Sequence, residues 1–379
     1  MSGPLADLRV IDASSVLAGP ACARYLADFG ADVIKVERPD GGDTLRGLGW
    51  RDPRDGVTLF WKLNARNKRT ITLDLKDTAD HALFLSLCRD ANVLVENFRP
   101  GTLERLGLSP ELLLENNPAL VIVRVTGFGQ DGPYRNRPGF ASIAEAMSGF
   151  AAIAGEPDGA PLLPPIALTD EVTGLVAAFA AMVALHSGVG QVVDVNLLES
   201  LFQLMGPLIS AYRMFGYVQP RLGSGIPYTV PRGTYECSDG VWVAVSTSAE
   251  SVAARVMALL GVGGDPRFAT FADRVNHREE LDRLVADWIA ARPSNEVLET
   301  FAMAEAAIAP VMTMADISSD PHYAARGSIV ELDGVAMQGL IARLSRTPGA
   351  LRWAGRGLNA DGDEIRANGW GLDAKRPPA

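Results

Sequence analysis

The sequence predicts an α/β fold, with a large domain on a parallel sheet and a smaller α+β domain after it. Three observations carry this. Through the first half of the chain, apolar strand-like runs alternate with helical runs. At 217–231 the composition shifts to Pro, Gly and Ser, and a hairpin pattern follows. A chain of 379 residues, 47% hydrophobic and 21% charged, is long enough for two such cores and too apolar for wholesale disorder.

In order, LRVIDA (8–13) reads as a buried strand, ACARYLADFG (21–30) as a helix closed by glycine, and ADVIKVE (31–37) as a second strand. Strand, helix and strand so closely spaced form a βαβ unit, which requires parallel strands and a right-handed crossover. The alternation continues with strand 69–75, helix 78–91 and strands 93–98 and 120–128. The loop QDGPYRNRPGF is irregular, and ASIAEAMSGFAAIAG reads as one amphipathic helix. Strand 191–197 and a single helix over 197–216 complete the large domain. The run RGTYECSDGVWVAVST is a hairpin turning at Ser238-Asp239-Gly240. Helices at 249–260, 277–292 and 294–306 and a strand PVMTM follow it. The expected domains are 1–216, a linker at 217–231, a small domain at 232–320, and a segment at 321–379 returning toward the large domain.

One stretch stands apart. LPPIALTDEVTG brings Asp170 to the start of EVTGLVAAFAAMVALH, a nearly uncharged run expected to form a helix buried on most sides. Two prolines before it cannot lie within that helix. An aspartate in a first turn sits at the positive end of the helix dipole, which favours its ionised form. Thr169 or Asp170 either caps the helix or leaves Asp170 available as a nucleophile, and the helix alone does not decide.

The ends of the other strands carry Arg38, Lys76, Asn97 and Arg99. Ligands of open α/β sheets bind outside the carboxyl ends of strands, so these groups either meet a polyanion there or are solvated loop-end charges. Only Gly19 marks the first strand-to-helix loop, which excludes the glycine fingerprint of nicotinamide cofactors, although Glu37 stands where such folds place a ribose-binding acid.

The net charge of −10 argues against non-specific nucleic-acid binding and against a polybasic membrane patch. Cys22, Cys88 and Cys237 have no metal spacing and read as reduced packing residues. The N-terminus lacks a signal-peptide pattern, and the apolar run 172–185 is short for a bilayer, so a cytoplasmic protein is expected.

Taken together, VLAGPACARYLADFGADVIKVERP, NARNKRTITLDL, VENFRPGTLERLGL, VTGFGQDGPYRNRPGF, LTDEVTG and GQVVDVNLLES resemble the class III CoA-transferases. That family groups formyl-CoA and carnitine CoA-transferases with α-methylacyl-CoA racemase. The resemblance implies a Rossmann-like large domain, a small domain on two linkers, and an interlocked homodimer. It implies that Val16 and Ala18 line a CoA channel and that Arg38 meets CoA phosphates. It also implies that Leu73, Lys76, Asn97, Phe98 and Arg105 contact the nucleotide or pantetheine. Arg137 stands about where the family often has another basic contact. The family's catalytic aspartate falls on Asp170, with coenzyme A or acyl-CoA as substrate, a carboxylic acid as acceptor, and no permanently bound cofactor or metal.

The implied chemistry is attack of Asp170 on an acyl-CoA thioester, giving an aspartyl-acyl anhydride and then an enzyme-CoA thioester. The racemase branch needs a histidine where this chain has Phe140, and phenylalanine moves no proton. His81, His186, His277 and His322 fall in predicted helices, at a helix end, or in the tail. A non-catalytic CoA-binding relative would lose the carboxylate that is present here. Transferase is therefore the preferred reading. Gly223-Ser224-Gly225 offers backbone amides to developing charge, but departs from the longer glycine run of the formyl-CoA branch. Phe140, Tyr134, Tyr228 and Met205 are candidates for an acyl pocket, suited to an acid larger or more apolar than oxalate.

Overall fold

A computed structural model describes residues 3–371, so residues 1–2 and 372–379 of the expected first and last segments lie outside the described residues. The chain divides into two compact units. The first comprises Met1–Gly149, Pro164–Gly206 and His322–Ala379, and the second Phe150–Leu163 and Pro207–Pro321. The division falls before the stretch 217–231, and a short excursion out of the large unit joins the small one.

The first unit is built on six strands: β1 (Arg9–Asp12), β2 (Asp32–Glu37), β3 (Lys68–Thr72), β4 (Val93–Glu96), β5 (Val121–Thr126) and β6 (Gln191–Asn196). All pair in parallel in the order β3-β2-β1-β4-β5-β6, the doubly wound order whose direction reverses between β1 and β4. Between strands run α1 (Ala18–Asp28), α2 (Leu59–Asn64), α3 (Thr78–Arg89), α4 (Thr102–Arg105), α5 (Pro110–Asn116), α6 (Ala141–Met147), α7 (Phe150–Ile153) and α8 (Leu168–Ser187), α7 belonging to the second unit.

Period-two alternation assigns each strand side chain to a face. Val10, Val33, Val93, Val95, Val121 and Val123 point to the side of α1 and α8, where they meet alanines. Ile11, Ile34, Ile71, Leu94 and Ile122 point to the other side, against Phe84, Leu87 and Leu113. The smaller residue on the first face lets α1 and α8 lie close. Gly174 marks the contact: a Cβ there would stand 2.7 Å from Ala21 Cβ and 3.0 Å from the Ala18 carbonyl oxygen. Gly174→Ala gains about 1 kcal/mol of helix propensity, but over-packing against backbone costs about 1–3 kcal/mol. We expect a net loss, read as a lower thermal midpoint. A stabilised variant would show that α1 and α8 have room to part.

Helix α8 departs from expectation in two ways. Only one face, including Thr169, Thr173, Gly174, Ala177 and Ala181, is buried, while Phe179 is 71% exposed and Val183 54%. The helix runs 20 residues, longer than the apolar core of the run suggested, and by length and composition it is long enough to cross a membrane. Its face of small residues packs on α1 as that of a core helix does.

The expected helix 141–155 is two pieces, broken at Gly149 with φ of 96°, a backbone that favours glycine. The expected helix 197–216 ends at Phe202 and resumes at Leu208, because Gly206 (φ 56°) and Pro207 interrupt it. Residues of the tail line the β3 edge. Asp361 accepts from the Thr70 amide at 2.8 Å, Asn359 from the Thr72 amide at 2.9 Å, and Trp370 donates to the Leu87 carbonyl at 3.0 Å.

In the second unit β7 (Arg232–Glu236), β8 (Trp242–Ser246) and β9 (Ile308–Pro310) form an antiparallel sheet. The turn after β7 contains Gly240 at φ 78°, and helices Glu250–Leu259, Arg278–Ala290 and Ser294–Met303 cover a core that includes Val243, Leu281 and Phe301. The third strand is shorter than PVMTM implied and lies mostly before it.

Candidate active site

The site begins with the loop leaving β1. Asp12 is fully buried and its carboxylate takes Ser14 Oγ at 2.5 Å and Lys68 Nζ at 2.8 Å. Lys35 Nζ donates to the Ser14 carbonyl and pairs with Asp43 at 3.1 Å. Burial pushes the Asp12 carboxyl up, but Lys35 and Lys68 outweigh burial and hold it at about 2. The clamp continues outward: Asn97 exchanges two hydrogen bonds with the Ser15 backbone at 2.8 and 2.7 Å, and Asp43 Oδ1 accepts from the Val16 amide at 3.0 Å. Val16 is thereby held at φ 67°, a left-handed conformation that a β-branched residue adopts only under such constraint.

Two clefts adjoin this loop and share Ser15 and Phe98. The first, about 420 Å³, is lined by Arg38, Leu73, Lys76 and Phe98 at the ends of β1 to β4. The second, about 270 Å³, is lined by Val16, Ala18, Asn97, Phe98, Arg137 and Asp170. Arg99, Arg135 and Phe140 also line it. The structure thus divides the strand-end groups between two neighbouring spaces at the point where strand order reverses. Arg105 reaches neither cleft; its guanidinium donates to Thr102 Oγ1 at 2.7 Å. Arg137 stacks at 3.9 Å over Tyr134. Glu37 makes no ribose site, because Arg46 holds it by two hydrogen bonds of 2.7 and 2.8 Å.

Asp170 lies in the first turn of α8, half-buried. Neither it nor Thr169 caps the helix; the N-cap is Ala167 with no side-chain bond, and Thr169 Oγ1 instead donates to Glu145 Oε1 at 2.8 Å. Among the described residues the Asp170 carboxylate accepts no hydrogen bond. The dipole's preference for the ionised form is overridden. Burial, then Glu145, then Glu171 raise the Asp170 carboxyl to about 6. Glu171 is itself occupied by Arg24 and Tyr25, each at 2.8 Å.

The result is an unusually basic carboxylate, free of hydrogen bonds among the described residues, in an arginine-lined cleft. No histidine lines either cleft, and Phe140, 67% exposed, stands at the mouth of the second. Gly223-Ser224-Gly225 and Tyr228 belong to the second unit, where Ser224 Oγ lies 3.0 Å from Thr234 Oγ1. The three cysteines are free and buried, and no metal-binding group of side chains occurs among the described residues. Sequence reasoning missed Glu145 and the Asp12–Lys35–Lys68 cluster: Asp12, Lys35 and Glu145 sit singly inside apolar runs, and Lys68 is one of several charges around the start of β3.

The family model for CoA-transferase family III matches residues 5–361. The chain belongs to this family. It is 40% identical to the succinyl-CoA–D-citramalate CoA-transferase of Chloroflexus aurantiacus, over 97% of this chain and 94% of that protein. It is 35% identical to the succinate–glutarate CoA-transferase of Agrobacterium fabrum, over 91% and 88%. A CAIB/BAIF family protein from Brucella suis superposes with a TM-score of 0.85 at 32% identity, covering 97% of this chain and 99% of that one. This family III member is accordingly an enzyme that transfers CoA between an acyl-CoA and a carboxylate.

Proposed function

We propose that transfer proceeds through Asp170 as nucleophile, and the observation that carries this is the free, basic Asp170 carboxylate in the second cleft. Its oxygen attacks the acyl carbonyl of the donor; the C–S bond breaks, leaving an aspartyl-acyl anhydride and CoA thiolate. The thiolate attacks the aspartyl carbonyl, releasing the donor acid and leaving an aspartyl-CoA thioester. The incoming carboxylate reverses both steps, forming a second anhydride and then its own acyl-CoA. Dividing one exchange into such steps lowers each barrier. Arg38 and Lys76 hold the CoA phosphates, Leu73 and Phe98 flank the nucleotide, and Val16, Ala18 and Asn97 line the pantetheine path.

The substrates are short dicarboxylic acids. Relatives are named for succinyl-CoA with D-citramalate or mesaconate, and for succinate with glutarate. Arg99 and Arg135 also line the cleft with no ion pair among the described residues, which suits a second carboxylate. The enzyme works in the cytoplasm as an interlocked homodimer, in which the exposed apolar face of α8 is covered. Sedimentation should return twice the chain mass, and a monomer would count against that assembly.

Incubation with succinyl-CoA and hydroxylamine, followed by peptide mapping, tests the nucleophile. A hydroxamate on the Asp170 peptide is expected. An unlabelled peptide in a protein that turns over would remove Asp170 from the role, as would α-proton exchange persisting without acceptor.

A further inference from the structure

Buried carboxylates in the first unit have cations. Asp12 pairs with Lys68 at 2.8 Å, Asp28 with Arg66 at 2.5 Å, Glu37 with Arg46 at 2.7 Å and Glu96 with Arg124 at 2.6 Å. Asp43, Asp52 and Asp361 are likewise ion-paired. Glu145 is the exception. It is 4% exposed, no cation pairs with it among the described residues, and its bonded side-chain partner is the hydroxyl of Thr169, the residue next to Asp170. A buried acid left unpaired is costly, and such costs concentrate where function needs them.

We propose that Glu145 is a positioning residue for Asp170, anchoring the first turn of α8 through Thr169 and holding a fixed negative charge beside the nucleophile. The inference rests on Asp170 being that nucleophile. Glu145 comes from α6, whose first residue, Ala141, lines the same cleft. The other charges around Asp170 are Glu171 on its own helix, neutralised by Arg24 on α1, Arg99 from the loop after β4, and Arg135 and Arg137 from the loop before α6.

The charge has a specific use. When Asp170 attacks a thioester, its negative charge leaves with the CoA thiolate, and the anhydride that remains is neutral. Repulsion from Glu145 is present in the free carboxylate and absent in the anhydride, so it favours the covalent state. The same repulsion makes the carboxylate more basic and hence more nucleophilic. Thr169 fixes the geometry while Thr173 Oγ1 bonds the Thr169 carbonyl at 2.7 Å, stiffening the turn.

Glu145→Gln keeps the size and an acceptor for Thr169 but removes the charge. The acid limb of kcat/KM should then move down by about one pH unit, and the fraction trapped by hydroxylamine on Asp170 should fall about tenfold. KM for succinyl-CoA should stay within about twofold of wild type. An unmoved acid limb with wild-type trapping would overturn the proposal, whatever happens to thermal stability. If this variant does not fold, Thr169→Val cuts the anchor with both carboxylates intact. It should lower kcat about tenfold at unchanged KM and leave the acid limb in place. An unchanged kcat there counts equally against it. Absence of any hydroxamate on wild-type Asp170 is a separate result, and it defeats the nucleophile reading rather than the role of Glu145.

Discussion

Asp170→Asn is expected to lower kcat by about four orders of magnitude or more, the scale on which loss of a covalent nucleophile acts. CoA affinity should hold within about twofold, since Arg38 and Lys76 line the neighbouring cleft and not the one that holds Asp170. The same substitution should stabilise the fold. Folding raises the Asp170 carboxyl from 3.8 to about 6, so the folded state prefers it protonated. Ionisation therefore costs stability, fully above about 6 and not at all below 3.8. The full shift corresponds to about 3 kcal/mol, reduced to about 1 kcal/mol because the side chain is half exposed to screening solvent. Asparagine escapes that cost. Its thermal midpoint should exceed wild type by about 2–4 °C near pH 8 and match it near pH 4. In the wild type, kcat/KM should fall below about 6 as the nucleophile is protonated. Retained turnover, or loss of CoA binding together with activity, would remove Asp170 from the place given to it.

The sheet was legible because its signal is local. A strand buried on both faces reads as a near-continuous apolar run, broken in β2 by Lys35 and in β5 by Arg124. Helix interruptions at Gly149 and at Gly206-Pro207 were legible too, had the glycines been weighed above the amphipathic pattern around them. The burial of α8 was not. Its composition is nearly uniform around the helix, so nothing in the sequence separates the face that meets α1 from the face that carries Phe179. The site divides in the same way. Asp170 and the strand-end cations stand at element ends, where chain order places them, and resemblance to a family strengthened each. Glu145 is one acid in an ordinary amphipathic helix, and its meaning arises only when α6 packs beside α8. The unpaired state of a buried charge is a property of three-dimensional neighbours, which spacing along the chain does not encode.

Asp12→Ala is expected to cost about 3–5 kcal/mol, because it strands the buried cation Lys68 and removes one of the two carboxylates, Asp12 and Asp43, that neutralise buried Lys35. The thermal midpoint of the first unit should fall by about 10 °C. A change below about 1 kcal/mol would mean that water or a relaxed loop replaces the carboxylate. The pH dependence gives an independent check. The Asp12 carboxyl is depressed from 3.8 to about 2, so its ionised form is preferred in the fold. Its contribution of about 2 kcal/mol is complete above 3.8 and disappears as pH falls through about 2. Wild type should therefore lose this increment in acid while the alanine variant has none to lose. The effect reaches function through geometry, since Lys35 and Asp12 hold both ends of Ser14, and Asp43 holds Val16. Ser14 lines the first cleft, Val16 the second, and Ser15 between them lines both. Releasing them should raise KM for acyl-CoA more than it lowers kcat, the opposite of the pattern expected at Asp170, because in the proposed mechanism the loop shapes the path of the substrate while Asp170 and its carboxylate neighbour govern the bond that is made.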